Sequence, residues 1–517
     1  MRPPPLSRLT GARLALARLP AWWPMAAVMA LAALMRLVHL GFPHKLIFDE
    51  TYYVKDAYSL LRHGVELKWA EEPNPAFEAG DFSLLETGGQ YVVHPPVGKW
   101  MIAIGMWIFG PESSFGWRFM PAVAGILSVL LVMLIARRLF NSVAWAALAG
   151  LFMAVDGQAL VLSRVGLLDG FVALFTLLAL WLILKDRAVM DRRLALAMRL
   201  PVGHGPNGEP LYEQRYLGPG LGMRWYLLAA GVSLGLTCGV KWSGLYFLAV
   251  FGLMVVAWDL WARRTAGIKG WWVGALLRDA VKAFALLVPP ALVTYVASWT
   301  GWLVTTAGYT RDWAATHPGE GVTWLPPALR SLLVYHQQAW DFHTTLSSPH
   351  DYQSKPWDWL IQWRPTSMFL EHEPTCGSDN CTQAITALGN PMIWWFALVG
   401  LGAVLWAAFA WADRRAWVIL AGYLAGWVPW LLFSDRTIFS FYTVAFVPYV
   451  VLALTFSLGK LVGRPGQSAN RLAVGRILAG AAVVLVLAAA AFFWPIWTGG
   501  SLPYWLWQGH YWLPSWM

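Results

Sequence analysis

Long apolar runs, parted by short connections that carry arginine, set the pattern of this chain. They lie near Trp22–Leu40, Trp117–Ile135, Val143–Gln158, Phe171–Leu184, Trp225–Val240, Leu245–Trp261, Phe284–Leu303, Pro391–Trp411, Ala416–Phe433, Ile438–Leu458 and Ile477–Trp497. A helix needs about 20 apolar residues to cross a bilayer, so the pattern predicts an all-α polytopic membrane protein. About eleven transmembrane helices are expected, forming one integral-membrane unit over 1–517. Met101–Phe109 is too short to cross and is expected to lie at the interface or dip in. Two long polar stretches, 42–115 and 306–390, interrupt the runs; within the second, Pro326–Phe342 reads as an interfacial helix. Residues 185–224, with proline and glycine between Pro201 and Gly222, read as a loop and a poor helix candidate.

Charge orients the pattern. The first twenty residues hold Arg2, Arg8, Arg13 and Arg18 and no acid, which predicts a cytoplasmic arm over 1–20. Alternate connections then carry Arg137-Arg138, Lys185 and Arg187, Arg263-Arg264, Arg414-Arg415, and Lys460 with Arg464 and Arg476. The stretches 42–115 and 306–390 and an aromatic tail over 498–517 fall on the opposite, extracytoplasmic side. The run Trp22–Leu40 is too long for a signal-peptide core and has no small-residue cleavage site after it.

Composition agrees. The chain is 58% hydrophobic and 13% charged, where a soluble domain carries roughly 25% charged residues. The net charge of +10 sits mostly in the short connections, so it speaks to orientation and not to nucleic acid. The 35 tryptophans suit the interfacial belts of a membrane protein. Of three cysteines, Cys238 lies in an apolar run and reads as a packed thiol. Cys376 and Cys381 share a polar segment and are expected to form a disulfide if that segment faces an oxidising compartment. A metal site drawing on His372 is the alternative, but further ligands at suitable spacing are missing.

With this topology Arg36, Asp49, Glu50, His94, Arg118, Arg164, Asp169, Lys241, Asp435 and Arg436 gather near the outer face. Each has a plain structural alternative. Asp49 and Glu50 could cap a helix, Arg118, Arg164 and Lys241 could snorkel, and Asp169 could cap a span while pairing with Arg164. As a set they predict a polar cavity opening outward. Cations at headgroup depth suit a lipid-borne phosphate, and a carboxylate beside them suits a general base. No nucleotide-sugar domain and no phosphate-cradling glycine loop is visible in the sequence; a lipid-linked sugar donor requires neither. Asp49 with Glu50 could hold a divalent ion, but the basic residues make one unnecessary for neutralising phosphate. No metal and no cofactor is therefore expected.

Several stretches resemble the protein O-mannosyltransferases of the GT-C glycosyltransferase class, particularly the actinobacterial type. They are Phe48-Asp49-Glu50, His94-Pro95-Pro96-Val97-Gly98-Lys99, Trp117-Arg118-Phe119, Ser163-Arg164-Val165-Gly166-Leu167-Leu168-Asp169 and Val240-Lys241-Trp242-Ser243-Gly244. Later come Ser354-Lys355-Pro356-Trp357, Arg364-Pro365-Thr366-Ser367 and Arg436-Thr437-Ile438-Phe439-Ser440-Phe441-Tyr442, in order along nearly the whole chain. The resemblance implies an eleven-span GT-C enzyme with two large extracytoplasmic loops. It would transfer mannose from polyprenyl-phosphate-mannose to Ser or Thr of exported proteins, inverting the anomeric centre. Asp49 would be the catalytic aspartate and Glu50 its acidic neighbour. The donor phosphate is expected on Arg118, Lys241, Arg436 and Arg36, with His94, Arg164 and Asp169 in support.

The implied partners are the lipid donor, the exported acceptors, the secretion channel they leave by, and membrane lipid. The implied location is the plasma membrane. The stretch 306–390 is too short for the β-trefoil domain of the eukaryotic enzymes, so acceptor recognition must differ. The rival readings are another GT-C enzyme, of the aminoarabinose or arabinose type, and a transporter. The first would not be expected to combine these stretches; the second lacks an inverted hydropathy repeat.

Overall fold

The computed structural model of the protein describes residues 22–199, 201–204, 210–212, 216–373, 376–378, 380–464 and 466–517. The N-terminal arm expected over 1–20 lies outside them. The main helices are α1 (Trp23–Leu37), α2 (Glu50–His63), α3 (Val97–Phe109), α4 (Ser114–Phe140), α5 (Val143–Ala154), α6 (Asp169–Ala197) and α7 (Trp225–Val240). After them come α8 (Gly244–Thr265), α9 (Trp271–Ser298), α10 (Pro327–Thr345), α11 (Pro391–Trp411), α12 (Arg414–Gly426), α13 (Val447–Val462) and α14 (Ala469–Thr498). Among the described residues, Ser114–Phe140, Gly244–Thr265, Trp271–Ser298, Pro391–Trp411, Arg414–Phe433 and Ala469–Thr498 are long and apolar enough to cross a membrane. Helices α1, α3, α5, α7 and α13 are apolar but shorter.

Caps explain why these runs start and stop where they do. Between α4 and α5 only Asn141 and Ser142 intervene. Asn141 takes the left-handed conformation (φ 50°) and its N–H reaches Arg137 O, while Ser142 Oγ accepts from Trp145 N at 3.4 Å. Asparagine tolerates that backbone and serine satisfies the first free N–H groups of the next helix. Helix α11 begins on Asn390, whose side chain accepts from Met392 N, with Pro391 at the first helical position.

Three expectations are corrected. The segment from Lys185 is not loop from its start: α6 continues to Ala197, for 29 residues, and Arg224 stitches it to α8 through Asp186 and Asp259 at 2.6 Å each. The apolar residues from Ile438 do not begin a span either. Residues 440–445 form a 3-10 turn and α13 starts at Val447, because Ser440 O serves Gln158 Nε2 instead of a helix ladder. The polar stretches also hold more order than loops. In 42–115, α2 and α3 flank a two-stranded sheet of β1 (Leu67–Trp69) and β2 (Leu85–Gly89).

A second ribbon pairs β3 (Pro201–His204) with β4 (Pro210–Tyr212). In the 306–390 stretch, β5 (Thr366–Glu373) and β6 (Cys381–Ala387) form an antiparallel hairpin whose end is closed by the Cys376–Cys381 disulfide, Cα–Cα 5.8 Å. Strand β7 (Ser501–Pro503) adds to β6, with Cys381 opposite Pro503 and Gln383 opposite Ser501. Helix α6 sits centrally, packed by α4, α7 and the 3-10 turn at 440–445. Its first residue, Asp169, lies about 25 Å from Asp186 at helical rise. One end of the bundle therefore carries Arg224 and its partners, and the other carries the site.

Candidate active site

The chain enters the site after α1, where Arg118 and Glu50 set the backbone. Arg118 grips Glu50 by two bonds of 2.7 Å, Nε to Oε1 and Nη2 to Oε2. Its other donors go to Pro43 O at 2.8 Å and Lys45 O at 3.0 Å. Glu50 also accepts from Gly166 N at 2.7 Å and from Ile47 N at 3.0 Å. Both side chains are fully buried; the Glu50 carboxylate accepts four hydrogen bonds, and four of the five Arg118 N–H groups are engaged. Such a bidentate pair fixes geometry.

Asp49, one residue earlier, is placed quite differently. It stands at the N-cap of α2 but makes no cap hydrogen bond, so capping does not explain it. Among the described residues its Oδ2 meets only Tyr53 OH, at 3.5 Å. Burial lifts its carboxyl to about 6, opposed by the Lys241 ammonium and Tyr53 and reinforced by Asp169. A carboxylate poised near neutral pH suits proton transfer.

Lys241 leaves the C-terminus of α7 and donates to Asp169 Oδ2 at 2.7 Å. Its Nζ also lies 4.9 Å from the centre of the Tyr442 ring and 5.9 Å from that of Phe441. Arg436 donates from Nη2 to His343 Nδ1 at 3.0 Å. Because His343 Nε2 faces Val93 O at 2.9 Å, these partners assign the neutral tautomer protonated on Nε2. Burial, with Arg436 and Lys241 nearby, holds this imidazole down at about 4, although Val93 O favours the protonated form. Arg436 Nε is buried and has no partner among the described residues. His94 stacks on His343 at 5.3 Å and is held well below the usual imidazole range, first by burial and then by Lys241.

These groups border a cavity of about 700 Å³. One end is polar, with Asp169, Lys241, His94, His343, Arg436 and Tyr442. The flank is apolar and includes Leu245, Val288, Leu292, Leu432 and Phe433. Asp49 is not on the lining itself; it lies beside it, near enough to Lys241 and Asp169 for their charges to shift its titration. A polar chain runs beside these groups: Trp242, whose ring lies 5.6 Å from that of His343, donates from Nε1 to Tyr295 OH at 3.0 Å, Tyr295 meets His336 Nε2 at 2.5 Å, and His336 Nδ1 faces Leu332 O at 2.7 Å.

The expected residues thus separate. Asp49, His94, Asp169, Lys241 and Arg436 come together at the cavity. Arg118 fits the expected phosphate role poorly: it is fully buried, off the cavity lining, and gives four of its five N–H donors to Glu50 and two carbonyls. Glu50 fits a catalytic role poorly because its two oxygens already accept four hydrogen bonds from the protein. Arg36 is buried in the bundle, with Nε to Ser163 Oγ and Nη1 and Nη2 to Ala154 O and Met153 O, all at 3.3 Å. A Cβ on Gly125 would fall 2.1 Å from Ser163 Oγ and 2.9 Å from Arg36 Nε, so that glycine leaves the guanidinium its room.

Arg164 donates to the carbonyls of Met35, Arg36, Val38 and His39. It closes the C-terminal end of α1, as cations there do. It does not pair with Asp169, which Lys241 holds. Lys99, last of the His94–Lys99 stretch, is buried against Glu66 and Asp56 and ties α3 to α2. Cys376 and Cys381 lie away from the cavity, at the tip of β5–β6. Among the described residues, no three His, Cys, Asp or Glu side chains group as a metal site requires.

Sequence reasoning gave no role to Tyr53, His336, His343, Tyr295 or Tyr442. A usable signal existed for two of them: His336 and His343 are seven apart on α10, hence on one helical face.

Comparison with known proteins bears on the family and the fold. Residues 93–205 match the family described as dolichyl-phosphate-mannose-protein mannosyltransferase, and residues 328–516 match the C-terminal four-transmembrane region of protein-O-mannosyltransferase. The polyprenol-phosphate-mannose–protein mannosyltransferase of Mycolicibacterium smegmatis is 36% identical over 506 residues, 96% of this chain and 93% of the relative. That of Mycobacterium tuberculosis H37Rv is 35% identical over 511 residues, 96% of this chain and 92% of the relative. The S. cerevisiae protein O-mannosyltransferase Pmt1-Pmt2 complex bound to the sugar donor shares the GT-C fold, with TM-score 0.70, 15% identity, and coverage of 96% of this chain and 92% of that one. An aspartate beside a lysine, a cavity with one apolar flank and matches running the length of the chain lead to one assignment: this chain belongs to the dolichyl-phosphate-mannose–protein mannosyltransferase family.

Proposed function

We propose that this membrane-bound mannosyltransferase moves mannose from polyprenyl-phosphate-mannose to Ser or Thr hydroxyls of exported proteins, with Asp49 as general base. The observation that carries the reading is Asp49 itself. It is a carboxylate with no hydrogen-bond partner among the described residues beyond a long contact to Tyr53, held beside Lys241 at the polar end of a cavity whose flank is apolar. Asp49 takes the acceptor proton as the hydroxyl oxygen attacks C1 of the sugar. The C1–O bond to phosphate breaks, and polyprenyl phosphate leaves with that electron pair. One displacement inverts the centre, so a β-linked donor gives an α-linked product.

Lys241 and Arg436 hold the departing phosphate. Among the described residues, Arg436 retains a buried donor without a partner, and Lys241 commits one of its three donors to Asp169. The prenyl tail lies along Leu245, Val288, Leu292 and Phe433. In the cell the cavity, the stretches 42–115 and 306–390 and the segment 498–517 face outward from the plasma membrane, the arm over 1–20 faces the cytoplasm, and acceptors arrive from the secretion channel.

The test is transfer of labelled mannose from polyprenyl-phosphate-mannose to a Ser/Thr peptide by the purified protein. Asp49→Asn should lower turnover by about 10²–10⁴ and leave donor binding unchanged. Full activity in that variant would remove Asp49 from the mechanism. Cysteine placed at exposed Ser83 should be labelled from outside intact cells; protection there would overturn the orientation.

A further inference from the structure

Phe48, immediately before Asp49, has φ 47°. Left-handed backbone crowds any residue with a Cβ and is a true outlier for a bulky one. Where such a conformation persists, the surroundings over-determine it.

Here the surroundings are aromatic. The Phe48 ring is met edge-on by three others: Phe441 at 5.6 Å and 89°, Phe439 at 6.1 Å and 90°, and His350 at 6.4 Å and 81°. Edge-to-face contacts of this kind are favourable and directional. The clamp is itself pinned. Ser354 N donates to Ile438 O at 2.9 Å, Thr437 Oγ1 to Ser348 O at 2.5 Å, and Gln158 Nε2 to Ser440 O at 3.3 Å. On the other flank of Asp49, Glu50 is locked by Arg118 and Gly166. Asp49 therefore hangs between two fixed neighbours while its own carboxylate is barely restrained. Phe441 also lies beneath Lys241, so one short segment sets both the base and the cation.

We propose that Phe48 is a positioning residue for Asp49: its left-handed backbone, held by Phe439, Phe441 and His350, aims the carboxylate at the acceptor. This rests on the reading of Asp49 as the base. It predicts a loss in turnover without a loss in donor affinity, because a displacement of about 1 Å in a reacting group costs up to roughly 10²-fold.

The experiment uses the full-length purified enzyme, labelled polyprenyl-phosphate-mannose and a Ser/Thr peptide. Phe48→Ala is expected to lower kcat by about ten- to a hundredfold with donor KM unchanged, and Phe48→Tyr to retain activity. In an Asp49→Asn background, Phe48→Ala should add little, since residues acting as a unit are non-additive. Phe439→Leu loosens the clamp from outside the loop and decides the matter if Phe48→Ala does not fold; it should lower kcat less, and again not in the Asp49→Asn background. Wild-type kcat in the folded variants, a changed donor KM alone, or a fully additive loss would overturn the proposal. If Asp49→Asn is itself fully active, the reading of Asp49 fails, whatever Phe48 does.

Discussion

Two carboxylates one residue apart occupy opposite kinds of region. Around Glu50 everything is closed: four donors reach one carboxylate, and both it and Arg118 are fully buried. Around Asp49, Lys241 and Arg436 valences stay open, and a cavity adjoins them. Both regions set carboxylates beside cations. What differs is whether the protein's own groups exhaust them. A saturated ion pair is a structural device, whereas an unsaturated one at a cavity is available to a ligand.

The largest effect should come from breaking the closed region. Arg118→Ala leaves Glu50 buried without its partner, which costs about 3–5 kcal/mol and should appear as lost folded yield and a lowered Tm in detergent. Asp49→Asn should leave Tm where it was. If Arg118→Ala kept wild-type Tm and lost only donor affinity, the two regions would have been assigned the wrong way round.

Next comes Lys241→Ala, which removes a charge-assisted contact of about 1.5–3 kcal/mol. It should raise the donor Kd by roughly ten- to a hundredfold, measured by binding of labelled donor to folded protein.

A pH profile sharpens the comparison further. Asp49 must be ionised to accept a proton, and burial raises it to about 6, so kcat should fall as pH drops through that value. Asp169 contributes to the rise; Asp169→Asn should therefore shift the acid limb to lower pH. A limb left near the ordinary carboxylate value of 3.8 would place Asp49 in a more open setting than the structure gives it. The smallest effect is expected for Tyr53→Phe. A hydrogen bond of 3.5 Å sits at the weak end of the ~0.5–1.5 kcal/mol range, so kcat should change about twofold.

The sequence made the open region easier to find than the closed one. Apolar period and arginine alternation locate the spans and bring Asp49, His94, Asp169, Lys241 and Arg436 to one end, where the structure gathers them. They do not say which cation is already paired. Arg118 and Lys241 read alike in sequence, because both sit at a helix end at similar depth. Only the fold reveals that Pro43 O, Lys45 O and Glu50 take four of the five donors of one of them. The β5–β6–β7 sheet escaped for a related reason: β7 pairs with β6 across more than a hundred residues, and no local period marks a three-residue strand. The stretch from Ile438 reads as the start of a span because Phe439, Phe441 and Tyr442 are apolar enough for lipid, yet they spend themselves on the Phe48 clamp and Lys241.

The apolar flank of the cavity runs to the surface of the bundle. Leu245, Leu292 and Leu432 line it and remain 52%, 61% and 83% exposed. A donor reaching the cavity along that flank arrives by diffusion in the plane of the bilayer, so the enzyme samples a surface density and not a bulk concentration. Its KM for donor is then a mole fraction of membrane lipid. Adding inert phospholipid at constant total donor should slow the reaction by dilution alone, whereas adding buffer should not.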